Sequence, residues 1–91
     1  MIDVYYAPTF VRMYKKLPRA LQEEVKERIE QFRDPANHEK LKVHKLSGRL
    51  KGRHSFSVNY KIRIVFIFGK SPQSKNVAYL LYIGGHDEVY S

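Results

Sequence analysis

Apolar and polar positions alternate at the start of the chain, with Ile2, Val4 and Tyr6 set against Asp3 and Tyr5. A period of two predicts a short strand ending before Pro8, placed at a sheet edge. The spacing then lengthens. Phe10, Met13, Tyr14 and Leu17 recur at helical intervals, and beyond Pro18 the series Leu21, Val25, Ile29 and Phe32 steps by four, four and three along one face. Two helices are therefore expected. Pro18 suits the first turn of the second one, Glu24 with Arg28 and Lys26 with Glu30 form i,i+4 pairs on its solvated face, and Asp34-Pro35 stops it.

Residues 40–52 show little periodicity and contain two turn signals, Ser47-Gly48 and Lys51-Gly52, although Leu41, Val43 and Leu46 suggest a short strand. From His54 the pattern turns to β. Phe56, Val58 and Tyr60 alternate with Ser55, Ser57 and Asn59, a turn falls at residues 59–61, and residues 62–68 form a β-branched and aromatic run. A hairpin loop over residues 69–75 and a returning strand over 77–83 complete a three-stranded antiparallel meander. The predicted fold is α+β: an N-terminal strand, then two helices packed on a curved antiparallel sheet, with a tail after Gly84-Gly85. Because both faces of the 62–68 run are largely apolar, it is the expected central strand, and Arg63 is the one charge on it.

A chain of 91 residues buries one modest core, so a single domain over residues 1–91 is expected. The sequence has no Cys, which removes disulfides, thiolate metal sites and a cysteine nucleophile and suits a reducing compartment. The start of the chain lacks a basic region followed by a long apolar one, and the longest apolar run, residues 64–68, is far too short to span a bilayer. A cytoplasmic protein with no membrane partner is the expectation.

Charge adds more. Seventeen Lys and Arg against nine Asp and Glu give a formal net charge of +8, which favours a polyanionic partner. Residues 40–86 contain no acid at all, while Lys40, Lys42, Lys45, Arg49, Lys51, Arg53, Lys61, Arg63, Lys70 and Lys75 supply ten positive charges. The segment from Glu23 to Asp34 mixes both signs and is nearly neutral. One side of the molecule is thus expected to be electropositive.

Arg63 needs a physical reason, because a guanidinium on a buried strand cannot shed its charge and costs free energy without a partner. Either it pairs with a helix glutamate or it lines a concave surface that receives an anion. Four histidines accompany it. His38 reads as a solvated loop residue, His54 as a packed strand residue, His44 lies in the basic stretch, and His86 follows a glycine pair that lets backbone approach a ligand. Two imidazoles acting as base and acid, with a fixed guanidinium, form the set needed to cleave RNA through its 2′-hydroxyl. No His-x3-His or similar ligand spacing appears, nor a phosphate-binding loop or a nucleophile elbow, so no metal or cofactor is expected.

Three stretches, residues 45–52 (KLSGRLKG), 56–66 (FSVNYKIRIVF) and 83–90 (IGGHDEVY), resemble the RelE/ParE toxin superfamily, and the YKKLP approach to the second helix, residues 14–18, fits it as well. By that resemblance His44 takes the place of a catalytic glutamate in YoeB-like members and a histidine in YafQ-like ones. Arg63 matches the strand arginine, His86 the C-terminal histidine, and Tyr90 the terminal aromatic. Ser57 and Lys61 stand where YafQ-like members carry a second histidine or acid, so that proton relay does not transfer.

The resemblance implies the toxin of a type II toxin–antitoxin pair, a ribosome-dependent, metal-free mRNA endonuclease whose partners are an acidic antitoxin, mRNA and the ribosome. His44 would act as base, His86 as acid, Arg63 as the charge-stabilising group and Tyr90 as a stacking residue. Lys45, Lys51, Arg53 and Lys61 would position phosphates. The same scaffold also serves ParE-type inhibitors of DNA gyrase, and a non-cleaving, antitoxin-binding homologue is a further alternative.

Overall fold

The computed structural model describes residues 1–86 and 89. Its elements follow the sequence pattern: β1 (Asp3–Tyr6), α1 (Pro8–Lys15), α2 (Arg19–Phe32), a short 3-10 turn (Pro35–Asn37), β2 (His44–Lys45), a second 3-10 turn (Gly48–Leu50), β3 (His54–Ser57), β4 (Ile62–Ser71) and β5 (Ser74–Gly85). Pro8 opens α1, where a missing N–H costs nothing, and Pro18 caps α2. The two helices are tied by Gln22, whose side-chain amide donates to the Tyr14 carbonyl at 3.1 Å.

The five strands lie in the order β1-β5-β4-β3-β2, so β4 is the middle strand, as its two-sided apolar run implies. The sheet is not wholly antiparallel. β1 pairs with β5 in parallel, Asp3 opposite Val77 and Tyr6 opposite Leu80, because the two helices carry the chain away and the strand returning beside β1 runs in its direction. Arg33 closes off the start of this edge: its carbonyl accepts from Ile2 N at 2.8 Å and its Nε donates to the Ile2 carbonyl at 3.1 Å.

The core fills the space between the helices and one sheet face. Phe10, Val25, Ile29 and Phe32 from the helices meet Phe56, Ile64, Phe66, Ala78, Leu80 and Ile83 from the strands, with Leu41 and Val58 closing the side. Phe32 stacks on Phe56 at 4.4 Å and meets the edge of Phe66 at 4.8 Å. Truncating such a ring costs about 3–5 kcal/mol. No helix among the described residues is long and apolar enough to cross a membrane.

Three details differ from the sequence expectation. The predicted loop over 69–75 shrinks to Pro72 and Gln73, because Gly69 stays in the strand. A Cβ on Gly69 would come within 2.8 Å of the Tyr79 ring, so the ring occupies the space a side chain would need. The short strand expected from Leu41, Val43 and Leu46 is reduced to His44 and Lys45, since Lys42 takes a positive φ of 59° and breaks the extended run before it. His38 is half-buried rather than a solvated loop residue: its ring stacks on Phe32 at 4.9 Å, and its Nε2 donates to the Phe32 carbonyl at 2.8 Å.

Candidate active site

The sheet face turned away from the helices carries the candidate chemistry. Register places His44, Ser55, Val65 and Tyr82 in one row across four strands, and Ser57, Arg63 and Gly84 in a neighbouring row on the same face. With strands about 4.8 Å apart and residues about 3.3 Å apart along them, the His44 and Arg63 backbones are roughly 12 Å apart. Ser55 and Val65 are fully buried yet stand outside the helix-facing cluster.

His44 is exposed on the edge strand, just beyond the left-handed kink at Lys42. Its Nδ1 lies 2.8 Å from the Lys42 carbonyl. A carbonyl can only accept, so Nδ1 carries the hydrogen in the neutral ring and the lone pair is left on Nε2. In that tautomer Nε2 is the nitrogen able to accept a proton.

Arg63 lies on β4, half-buried, and no carboxylate pairs with it among the described residues. Of the two readings open to it, the ion pair with a helix glutamate is therefore not the one found. Its Nη1 donates to the backbone carbonyls of Asn59 and of Ile62, the latter at 3.2 Å. Asn59 is itself fixed from three directions. Its Oδ1 accepts from Lys61 N and Ile62 N, both at 2.9 Å, and its Nδ2 donates to Glu24 Oε1 of α2 at 2.9 Å. The guanidinium is thus held by neutral oxygens, and its charge is not cancelled. All the ion pairs found among the described residues lie on or beside α2.

His86 follows β5 directly, is exposed, and donates its backbone N–H to the Lys61 carbonyl at 3.2 Å. By register it lies beyond the Arg63 row, so Arg63 falls between the two histidines, whose backbones are roughly 20 Å apart. His44 and Arg63 share one face of the sheet, and His86 lies farther from His44 than Arg63 does. Tyr90 lies outside the described residues. Lys45, Lys51 and Arg53 line a hollow of about 470 Å3 with His54 at the turn between β2 and β3. Lys61 sits in the β3–β4 turn with its ammonium 5.8 Å from the centre of the Tyr60 ring, which is 81% exposed.

His54 is packed, as its strand parity predicts, stacking on Phe66 and meeting Phe68 edge-on. Its Nδ1 is buried and has no hydrogen-bond partner among the described residues. Burial holds this imidazole below its ordinary range, and the nearby charges of Lys45 and His44 push the same way. Among the described residues, no three His, Asp, Glu or Cys side chains gather closely enough to hold a metal ion. A larger cavity, about 880 Å3, lies between β1 and the two helices. Its charged lining, which includes Asp3, Lys15, Lys26, Glu30 and Arg33, mixes both signs and contains no histidine, so the smaller basic face is the better candidate.

Two residues of this face carry no signal in the sequence. Asn59 reads as an ordinary turn residue, and only the turn geometry turns its carbonyl toward Arg63. Tyr82 reads as even-numbered, like the core residue Leu80. A bulge changes this: Val65 faces Tyr82 but Phe66 faces Leu80, so Leu81 is the extra residue and Tyr82 is rotated onto the Arg63 face.

No family model and no curated relative matches the chain. Solved structures do. A chain of the DinJ–YafQ toxin–antitoxin complex of E. coli superposes with a TM-score of 0.73 at 14% identity, covering 99% of this chain and 98% of that one. The RelBE2 toxin–antitoxin complex of Mycobacterium tuberculosis gives 0.66 at 20% identity over 93% and 98%. The YoeB–YefM complex of Staphylococcus aureus gives 0.68 at 19% over 94% and 98%. The chain has the fold of the RelE/ParE toxins, in agreement with the sequence resemblance.

Proposed function

We propose that the chain is the toxin of a type II toxin–antitoxin pair and that it cuts mRNA in the ribosomal A site without a metal, by transesterification through the 2′-hydroxyl. The observation that carries this reading is Arg63: a guanidinium on the middle strand, anchored by the Asn59 and Ile62 carbonyls, unpaired with any described carboxylate and facing the same side as His44. Nothing in residues 40–86 supplies an acid to neutralise it. A site of that kind is built for an anion that arrives from outside.

In the reaction, His44 Nε2 takes the proton of the 2′-hydroxyl while the 2′-oxygen attacks phosphorus. Arg63 stabilises the charge that gathers on the phosphoryl oxygens, and the P–O5′ bond breaks as His86 gives a proton to the departing oxygen. Tyr90 stacks a base. Lys45, Lys51, Arg53 and Lys61 attract the RNA backbone, and their strength is set by salt rather than by sequence. To serve as acid, His86 must reach toward Arg63 from the end of β5. Structures of the same fold include toxin–antitoxin complexes with RelB, DinJ and YefM. For this chain an acidic antitoxin that covers the basic face is the matching partner.

Mapping mRNA 5′ ends after brief expression tests the reading. New cuts in translated frames, leaving 2′,3′-cyclic phosphate and 5′-hydroxyl ends, are expected. Intact mRNA together with broken DNA would instead assign the chain to the gyrase inhibitors.

A further inference from the structure

Tyr82 ends the row that begins at His44, on the face that carries Arg63. Its hydroxyl oxygen accepts a hydrogen bond of 2.5 Å from Arg53 Nη1. Arg53 immediately precedes β3 and Tyr82 lies in β5, with β4 between them. Their contact therefore crosses β4, which places the phenol tip over the middle of the sheet, on the side of β5 that leads toward His44.

The direction of that bond matters. A guanidinium has only donors, so the Tyr82 oxygen is the acceptor and its own hydrogen is left for a third group. No described residue takes it. A surface tyrosine that only packs would not need its oxygen held by a guanidinium reaching across a neighbouring strand. Here the ring is fixed by the guanidinium, which also stands 5.7 Å from the ring centre, and the unspent O–H lies on the same face as an uncancelled arginine and a base of defined tautomer.

We propose that Tyr82 is a further catalytic residue of this site, donating its hydroxyl hydrogen to a non-bridging oxygen of the scissile phosphate, with Arg53 as the residue that positions the phenol. This rests on the ribonuclease reading. In the step, the 2′-O–P bond forms and the P–O5′ bond breaks; one proton goes to His44 and one arrives at the 5′-oxygen, while Tyr82 keeps its proton throughout. Charge on the non-bridging oxygens is greatest when phosphorus is pentacoordinate, so a fixed donor there binds the transition state better than the substrate. Arg63 alone cannot serve every oxygen, since one of its nitrogens is already engaged by two carbonyls.

The test is Tyr82→Phe, which removes the hydroxyl and keeps the ring. Single-turnover cleavage of ribosome-bound mRNA should fall by about 10²-fold, the usual loss of one preorganised donor. Affinity for a 2′-deoxy strand that cannot be cut, and the melting temperature, should change little. Sulfur is a poor acceptor, so on substrates carrying sulfur at one non-bridging oxygen the difference between wild type and Y82F should shrink for one diastereomer and persist for the other. Cleavage by Y82F at the wild-type rate overturns the proposal. So does a slow variant that loses thermal stability and shows the same deficit with both diastereomers, because that is a structural role. A wild type that cuts no RNA overturns the ribonuclease reading itself, which separates the two failures.

Discussion

The backbone carbonyl of Asn59 holds the Arg63 guanidinium, while the side chain of the same Asn59 reaches Glu24 on α2. A turn residue thereby connects the helical layer to the Arg63 charge on the middle strand. Asn59→Ala would leave the Lys61 and Ile62 N–H groups without their acceptor and remove the donor to Glu24 Oε1. Loss of stability of about 1–3 kcal/mol is expected in urea denaturation. Glu24→Gln, which keeps an oxygen for the Asn59 amide, should cost much less. Equal losses in the two variants would show that the contact does not depend on this geometry.

Arg63→Lys keeps the charge but cannot give one nitrogen to the backbone and present others to phosphate in a planar fork. Single-turnover cleavage is expected to drop by roughly 10²-fold or more, with RNA affinity nearly preserved by the remaining lysines and arginines. Wild-type cleavage by R63K would remove Arg63 from the transition state.

Substituting His44 or His86 by Ala should slow cleavage by about 10² to 10⁴-fold, the contribution of a positioned proton-transfer group. His44 is the firmer half of this prediction, since its tautomer is set by the Lys42 carbonyl, whereas His86 stands farther along the sheet. Rate profiles against pH distinguish them: loss of the base should abolish the limb that rises with pH, loss of the acid the limb that falls. A full-speed H86A variant would assign the leaving-group proton to another donor.

His54 makes stability depend on pH. Its folded-state affinity for a proton is lowered from the ordinary value of 6.5, chiefly by burial and then by the Lys45 and His44 charges. As pH falls through that value the unfolded chain binds the proton first, so the stabilisation, complete above it, is lost below it. His54→Phe fills the same packed space without a titrating group and without the unpartnered Nδ1. Between about pH 7.5 and about pH 5.5 the wild type should lose more melting temperature than the variant. Parallel curves would mean that His54 is protonated as easily folded as unfolded.

Periodicity sufficed for much of the fold. Steps of four and three put Val25, Ile29 and Phe32 into the core, and the two-sided apolar run identified β4 as the middle strand. The nature of β1 was not legible, because whether an alternating terminal strand pairs in parallel depends on where the helices set it down. In the candidate site, Arg63 and His44 were visible as unusual residues in an acid-free stretch. Tyr82 was hidden by the extra residue at Leu81, which reverses the facing of everything on one side of it. Asn59 was hidden because its contribution comes from a carbonyl, which every residue possesses. His38 looked solvated in a Pro-Ala-Asn-His loop, yet it covers Phe32, which only the folded chain reveals.

Among the described residues β1 is the first strand, and its one neighbour in the sheet, β5, is the last. The β3–β4 and β4–β5 hairpins can zip locally, but β1 must wait for a partner separated from it by nearly the whole sequence, and closing so large a loop is slow. On a ribosome the order is stricter. His44, Ser57 and Arg63 emerge before Tyr82 and Gly84, so a growing polypeptide holds the cationic part of the face without the strand that completes it. A chain cut short during its own synthesis is therefore left with a charge and an unfinished face, and completion of the last described strand sets the moment at which the protein acquires it.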